Sequence, residues 1–206
     1  MSSRRAVNTP ASQLRKRRGL ILAAARSEFA ELGYAGARVD RIARKAGVNK
    51  QLLFYYFGSK AGLYQAALTG AARDLPQGGA PRSPDGGTGA EQLRRAVAQI
   101  FDALAERADV TRFILQEAIS GGRPDGPAGQ VLTRLVRDLA AIISEGQGLG
   151  YFRDDADPRV IARHAIVLAL SYVGLERVLS DPAAPSTSRL DLRKAVVDLV
   201  SQAVAW

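Results

Sequence analysis

Residues 33–60 read GYAGARVDRIARKAGVNKQLLFYYFGSK, and this stretch decides the fold. Two short helical patterns, about 39–46 and 49–56, flank Gly47. Two helices that cross tightly need a small turn with apolar flanks. Gly47 supplies the left-handed conformation that such a turn favours. Val39, Ile42, Ala43 and Ala46 form the inner face of the first helix, and Val48 and Leu53 fill the gap beneath the second. Asn49, Lys50, Gln51, Phe54 and Tyr55 are left on the exposed side. These are hydrogen-bonding, cationic or flat residues at the start of a helix, the place where base edges and phosphates are met. Lys60 opens the next helix, where its amine and the positive end of the helix dipole both face a phosphate. A duller reading stays open: the aromatic run Phe54–Phe57 as core, above all Phe57, and Lys50 as a solvated charge.

The charge distribution points the same way. The chain of 206 residues has a net charge of +9. Residues 1–60 hold 13 Lys and Arg against 3 Asp and Glu; residues 61–206 hold 16 against 17. The excess therefore lies in the first third, as in a polyanion-binding module joined to a neutral body. Arg15, Lys16, Arg17 and Arg18 read either as a solvated helix start or as a basic arm on phosphates or the minor groove.

The rest of the chain is helical in period, with no alternating strand pattern. The first helix is expected over about 11–32, with Ile21, Leu22, Ala25, Phe29 and Leu32 as its stripe and Gly33 as its stop. Ser59 caps a fourth helix to about residue 75. Pro76–Ala90, with five Gly and three Pro, reads as a flexible loop. Helices are expected at about 91–107 and 109–119. After the breaker Ser120–Gly129 they resume at about 130–145, 158–180 and 187–205. Asp157 and Pro158 serve as N-cap and first turn of the eighth. The expected fold is all-α, with about nine helices.

Composition excludes several classes. With 47% hydrophobic residues the chain buries a core. It has no Cys, hence no disulfides or thiolate metal site. No secretory signal is visible, and no apolar stretch reaches the ~20 residues of a membrane span; Ala165–Tyr172 comes nearest. The expectation is a cytoplasmic protein with no membrane partner, no metal and no cofactor. One His and no phosphate-binding Gly-rich loop argue against an enzyme.

At Phe29, Gly33-Tyr34, Ile42-Ala43, Ala46-Gly47-Val48, Lys50, Leu53, Tyr55-Tyr56-Phe57 and Ser59-Lys60 the sequence resembles the TetR-type transcriptional regulators. The run Gly150–Pro158 resembles the loop that often precedes the eighth helix in such proteins. The resemblance implies a three-helix DNA-binding head over residues 1–58 and an effector-binding and dimerisation body over 59–206. It assigns DNA contacts to Asn49, Lys50 and Gln51, to Tyr55 and Tyr56, and to Lys60. Phe54 stands where the family usually has Tyr. Arg38 replaces a small hydroxylic N-cap residue, weakening the cap and adding a cation that reaches for a phosphate.

A single helix–turn–helix reads few base pairs, so a homodimer on palindromic double-stranded DNA is expected, joined through the last two helices. The resemblance further implies a small-molecule effector in the body. Its candidate contacts are Phe101, Leu104, Arg112, Phe113, Glu117, His164, Leu168 and Tyr172, an apolar set with a few polar groups. Effector binding would favour a head spacing that mismatches the operator, which makes the chain a repressor. An activator of the same architecture, or a non-specific nucleoid-type protein, are the alternatives.

Overall fold

The computed structural model describes residues 10–75, 88–179 and 187–206. Among them lie nine helices and no strand: α1 Pro10–Gly36, α2 Val39–Ala46, α3 Lys50–Phe57, α4 Lys60–Asp74, α5 Gly89–Glu106, α6 Ala108–Ile119, α7 Pro127–Gly148, α8 Pro158–Leu179 and α9 Arg189–Val204. The chain divides into two compact units, Met1–Ala71 and Ala72–Trp206.

In the first unit, α1 loses helical geometry at Gly33 (φ 65°, ψ 177°) and α2 follows after Ala37 and Arg38. Phe29, Ile21 and Ala25 of α1, Ile42 of α2, Leu53 of α3 and Leu63 and Leu68 of α4 are fully buried and form the core. Leu32, expected in the apolar stripe, is exposed instead, because it lies in the turn of helix that ends at the Gly33 break. The cations at 15–18 ride on α1, which begins at Pro10, so within the described residues they belong to a helix and not to an arm.

The second unit packs α5, α6, α7 and α9 around α8. One face of α8 (Ile161, Ala162, Ala165, Ile166, Ala169, Leu170 and Val173) is buried, whereas Val160, Val167, Leu175 and Val178 are exposed. Pro158–Glu176 has a mean hydropathy of 1.2 over 19 residues, long and apolar enough by composition to cross a membrane. That is longer than the Ala165–Tyr172 run singled out in the sequence. Arg159, Arg163 and His164 interrupt it, and its buried face belongs to the helical core.

Helix starts differ from expectation where a cap was overlooked. α5 begins at Gly89, inside the expected loop, because Thr88 accepts from the Glu91 amide (3.4 Å) while Glu91 accepts from the Thr88 amide (3.1 Å). This reciprocal capping box outweighs the glycine. The remainder of that loop, 76–87, lies outside the described residues. α7 starts at Pro127 rather than near 130, since proline is tolerated in the first turn. At α8 the Asp157 carboxylate accepts from the Arg159 amide at 2.8 Å, as the sequence suggested.

Candidate DNA interface

The turn between α2 and α3 is set by Gly47, at φ 67° and ψ 32°, where a side chain would be strained. The Val48 amide returns to the Ala43 carbonyl at 3.0 Å, closing α2 and turning the chain into α3. Asn49 is the N-cap of α3: its side-chain oxygen accepts from the Leu52 amide at 2.7 Å. Helix α3 then buries Leu53 completely and presents Lys50, Gln51, Phe54 and Tyr55 outward. Tyr55 is 81% exposed and Phe54 37%. A tyrosine so exposed keeps most of its ring surface open to solvent. Tyr56 is half-buried, edge-on to Tyr55 at 5.6 Å, and its buried hydroxyl finds no hydrogen-bond partner among the described residues. Phe57 is also half-buried and lies under the Arg18 guanidinium, 5.5 Å from the ring centre. Arg18 therefore packs on the aromatic end of α3, while Arg15 and Arg17 are exposed along α1.

Two cations expected as free donors are held. The Lys50 amine lies 2.9 Å from the Asp40 carboxylate in the first turn of α2. That hydrogen bond holds the Asp40 carboxyl below its usual range. Lys60 sits 4.8 Å over the Tyr34 ring, and its amine approaches the Ala35 carbonyl at 3.4 Å. Tyr34 in turn meets Tyr64 edge-on at 5.0 Å, and Tyr64 meets Phe29 at 4.9 Å. This cluster pins the start of α4 to the end of α1. Ser59 caps α4, accepting from the Gly62 amide at 3.0 Å.

Arg38 is exposed at the N-cap of α2 and makes no side-chain cap bond. Its backbone amide is satisfied from elsewhere. Glu28 of α1, 5% exposed, accepts from the Arg38 amide at 3.2 Å and from Arg41 Nε at 2.7 Å. In a capping box the third helical residue would supply that acceptor. Here that residue is Arg41, which has none, and Glu28 takes the place from another helix. Sequence reasoning missed Glu28 and Asp40. Glu28 lies 10 and 13 residues from its partners, beyond any helical spacing; Asp40, an acid in a basic stretch, was a signal that could have been read.

In the second unit, the eight effector candidates separate. Phe101, Leu104 and Phe113 are fully buried in the core, and His164 is exposed. Arg112, Glu117, Leu168 and Tyr172 are half-buried on α6 and α8, which pack against each other. Three open grooves are described, none lined by these eight. One of about 670 Å³ and one of about 260 Å³ share Thr133, Val136 and Arg163 between α7 and α8. A third, about 580 Å³, lies between α5 and α9 and is lined by Arg94, Arg95, Arg193 and Lys194. No group of three His, Cys, Asp or Glu side chains suited to a metal ion occurs among the described residues.

Comparison with known proteins agrees with this geometry. Residues 21–67 match the family model described as bacterial regulatory proteins, tetR family, and residues 90–204 match a tetracycline repressor-like C-terminal domain. The chain is 31% identical over 134 residues to the transcriptional repressor SCO4008 of Streptomyces coelicolor, a match spanning 65% of this chain and 66% of that protein. It is 29% identical over 164 residues to the repressor NicS of Pseudomonas putida, spanning 78% and 76%. The solved structure of a transcriptional regulator of Streptomyces coelicolor, SCO4942, superposes with a TM-score of 0.68 at 27% identity, over 91% of this chain and 97% of that one. A helix–turn–helix with an exposed aromatic and cationic face, an all-α body and two adjoining family matches lead to one conclusion: the chain belongs to the TetR family of DNA-binding transcriptional regulators.

Proposed function

We propose that the chain acts as a homodimeric repressor on palindromic double-stranded DNA and that a small-molecule effector relieves its binding. The observation that carries the DNA reading is the outward face of α3, with Tyr55 81% exposed beside Lys50, Gln51 and Phe54. Lys50 and Gln51 read base edges. Asn49 keeps its amide nitrogen for DNA while its oxygen caps α3. Tyr55, Phe54 and the accessible part of the Tyr56 ring meet the backbone and thymine methyl groups. Arg38, Lys60 and the α1 arginines Arg15, Arg17 and Arg18 neutralise phosphates. Residues 1–58, with Lys60, thus carry recognition, and 59–206 carry effector and dimer surfaces.

Dimerisation is supported by α8, where Val160, Val167, Leu175 and Val178 share one exposed stripe, and by Leu199 on α9. Two such copies bury these faces as a four-helix bundle. His164 lies on the same stripe, which favours the seam over the effector site. For the effector, Arg112, Glu117, Leu168 and Tyr172 supply polar and aromatic groups where α6 meets α8. Effector binding shifts the head spacing, and coupling on the order of 1–3 kcal/mol lowers operator affinity. The repressor names of two relatives support the sign of the response.

The test is selection of genomic fragments by the purified chain, followed by footprinting at physiological salt. The expected result is a palindromic footprint with half-sites about 34 Å apart or a multiple of this. It should be sensitive to Gln51→Ala in base preference. Protection that spreads evenly along any duplex would refute the reading and favour a non-specific binder.

A further inference from the structure

Between residues 33 and 60 the chain holds a single acid, Asp40, among six Lys and Arg. That acid sits on the first turn of α2, and its carboxylate lies 2.9 Å from the amine of Lys50, the first residue of α3. Both side chains face solvent, 63% and 50% exposed, so the pair bridges the two helices across the surface that meets DNA. The aliphatic reach of Lys50 allows its amine many positions; the carboxylate selects one.

We propose that Asp40 is a specificity-determining residue of the DNA-reading head, acting by withholding Lys50 from the phosphate backbone. On an arbitrary duplex the amine gains a phosphate only by leaving the carboxylate, and the carboxylate is itself brought near phosphates. Both effects weaken non-specific binding. On the operator, Lys50 held by Asp40 meets a base-edge acceptor without leaving its partner, because an ammonium has three donors. Asp40 thus widens the ratio between operator and non-specific affinity by raising the cost of the wrong complex. The inference rests on Lys50 as a DNA contact.

The experiment uses full-length protein and two duplexes: the tightest sequence recovered from a randomised library by the unsubstituted chain, and a scrambled duplex of equal length and composition. Affinities are measured across salt for Asp40→Asn, Asp40→Ala, Lys50→Ala, the double substitution Asp40→Asn with Lys50→Ala, and Glu31→Gln. The last removes an exposed α1 acid as a control for net charge. For both Asp40 variants, affinity for the scrambled duplex should rise about fivefold. The salt slope should steepen by roughly 0.9, one added phosphate contact. Affinity for the selected duplex should change by less than about twofold, so the specificity ratio falls. In the Lys50→Ala background the effect of Asp40→Asn should shrink to what the carboxylate's own repulsion of phosphates leaves, and an effect as large as in the unsubstituted chain overturns the proposal. An unchanged ratio in the Asp40 variants, or the same change from Glu31→Gln, overturns the proposal. If Lys50→Ala alone alters neither affinity, the contact on which the proposal rests fails as well.

Discussion

Replacing Glu28 by alanine should cost the DNA-binding unit about 2 kcal/mol, and the estimate follows from two contacts. The carboxylate is 5% exposed and accepts from the Arg38 amide at 3.2 Å and from Arg41 Nε at 2.7 Å. Hydrogen bonds to a charged group contribute about 1.5–3 kcal/mol each. Arg41 is 46% exposed and recovers water when its partner is lost, so its share is the smaller. Removing a buried carboxylate also relieves its desolvation, which trims the total. Arg41→Ala leaves the carboxylate with the amide alone and should cost about 1–2 kcal/mol. Because the two residues share one interaction, the double substitution should cost less than the sum by about 1 kcal/mol. Glu28→Gln keeps an acceptor oxygen and should lie between the unsubstituted chain and Glu28→Ala. Urea unfolding followed by circular dichroism measures all four. Protomer concentration must be fixed, since the proposed dimerisation would add to apparent stability. Strictly additive substitutions, or a Glu28→Ala cost below about 0.5 kcal/mol, would refute the view that Glu28 substitutes for a missing capping residue.

Other substitutions test separate parts of the molecule. Lys60→Ala should weaken binding to all duplexes alike and reduce the salt slope by roughly 0.9. It should also lower stability by about 0.5–1 kcal/mol through loss of its seat over Tyr34, read in the same unfolding assay. Gly146→Ala would set a Cβ 2.2 Å from the ring of Phe152, which is 2% exposed. Overpacking of that kind should cost about 1–3 kcal/mol or more. At Gly89 the added Cβ meets the half-exposed Tyr151 ring at 2.7 Å, which can swing away, so Gly89→Ala should cost less than Gly146→Ala in thermal unfolding. Val167→Glu places a charge in the exposed stripe of α8 and should shift sedimentation from dimer to monomer, with operator affinity falling in step.

How far the sequence revealed these features depended on the range of the interaction. The turn at Gly47, the cap at Ser59 and the Asp157-Pro158 start of α8 are local, and each was readable from neighbouring residues. The capping box Thr88–Glu91 is equally local but was masked by the surrounding glycines and prolines, which argued for loop. Glu28 joins two helices, so no periodicity exposes it. The sidedness of α8 was also hidden. Its composition is apolar on nearly all sides, and packing against α5, α6, α7 and α9 separates the buried Ile161 and Ile166 from the exposed Val160 and Val167. Effector candidates were chosen by residue type on helices, and residue type does not distinguish a cavity wall from a filled core. Phe101, Leu104 and Phe113 are fully buried, which either role allows.

The cationic head is less free than its charge suggests, and this bears on how it reads DNA. Lys50 is held by Asp40, Lys60 by Tyr34 and Ala35, and Lys45 donates to Ser27 at 2.7 Å. Arg41 is held by Glu28, and Arg18 lies over Phe57. A free Lys or Arg side chain carries about 2 kcal/mol of rotamer entropy that a fixed contact must overcome. Cations already seated on protein partners lose less of it on meeting DNA, but each must loosen its seat where the geometry of the phosphates does not fit. If these cations meet phosphates as proposed, such a surface should bind an arbitrary duplex more weakly than its net charge predicts and penalise misplaced phosphates more than a set of mobile lysines would. Seated cations of this kind make the free energy of binding depend on the shape of the duplex as well as on its charge.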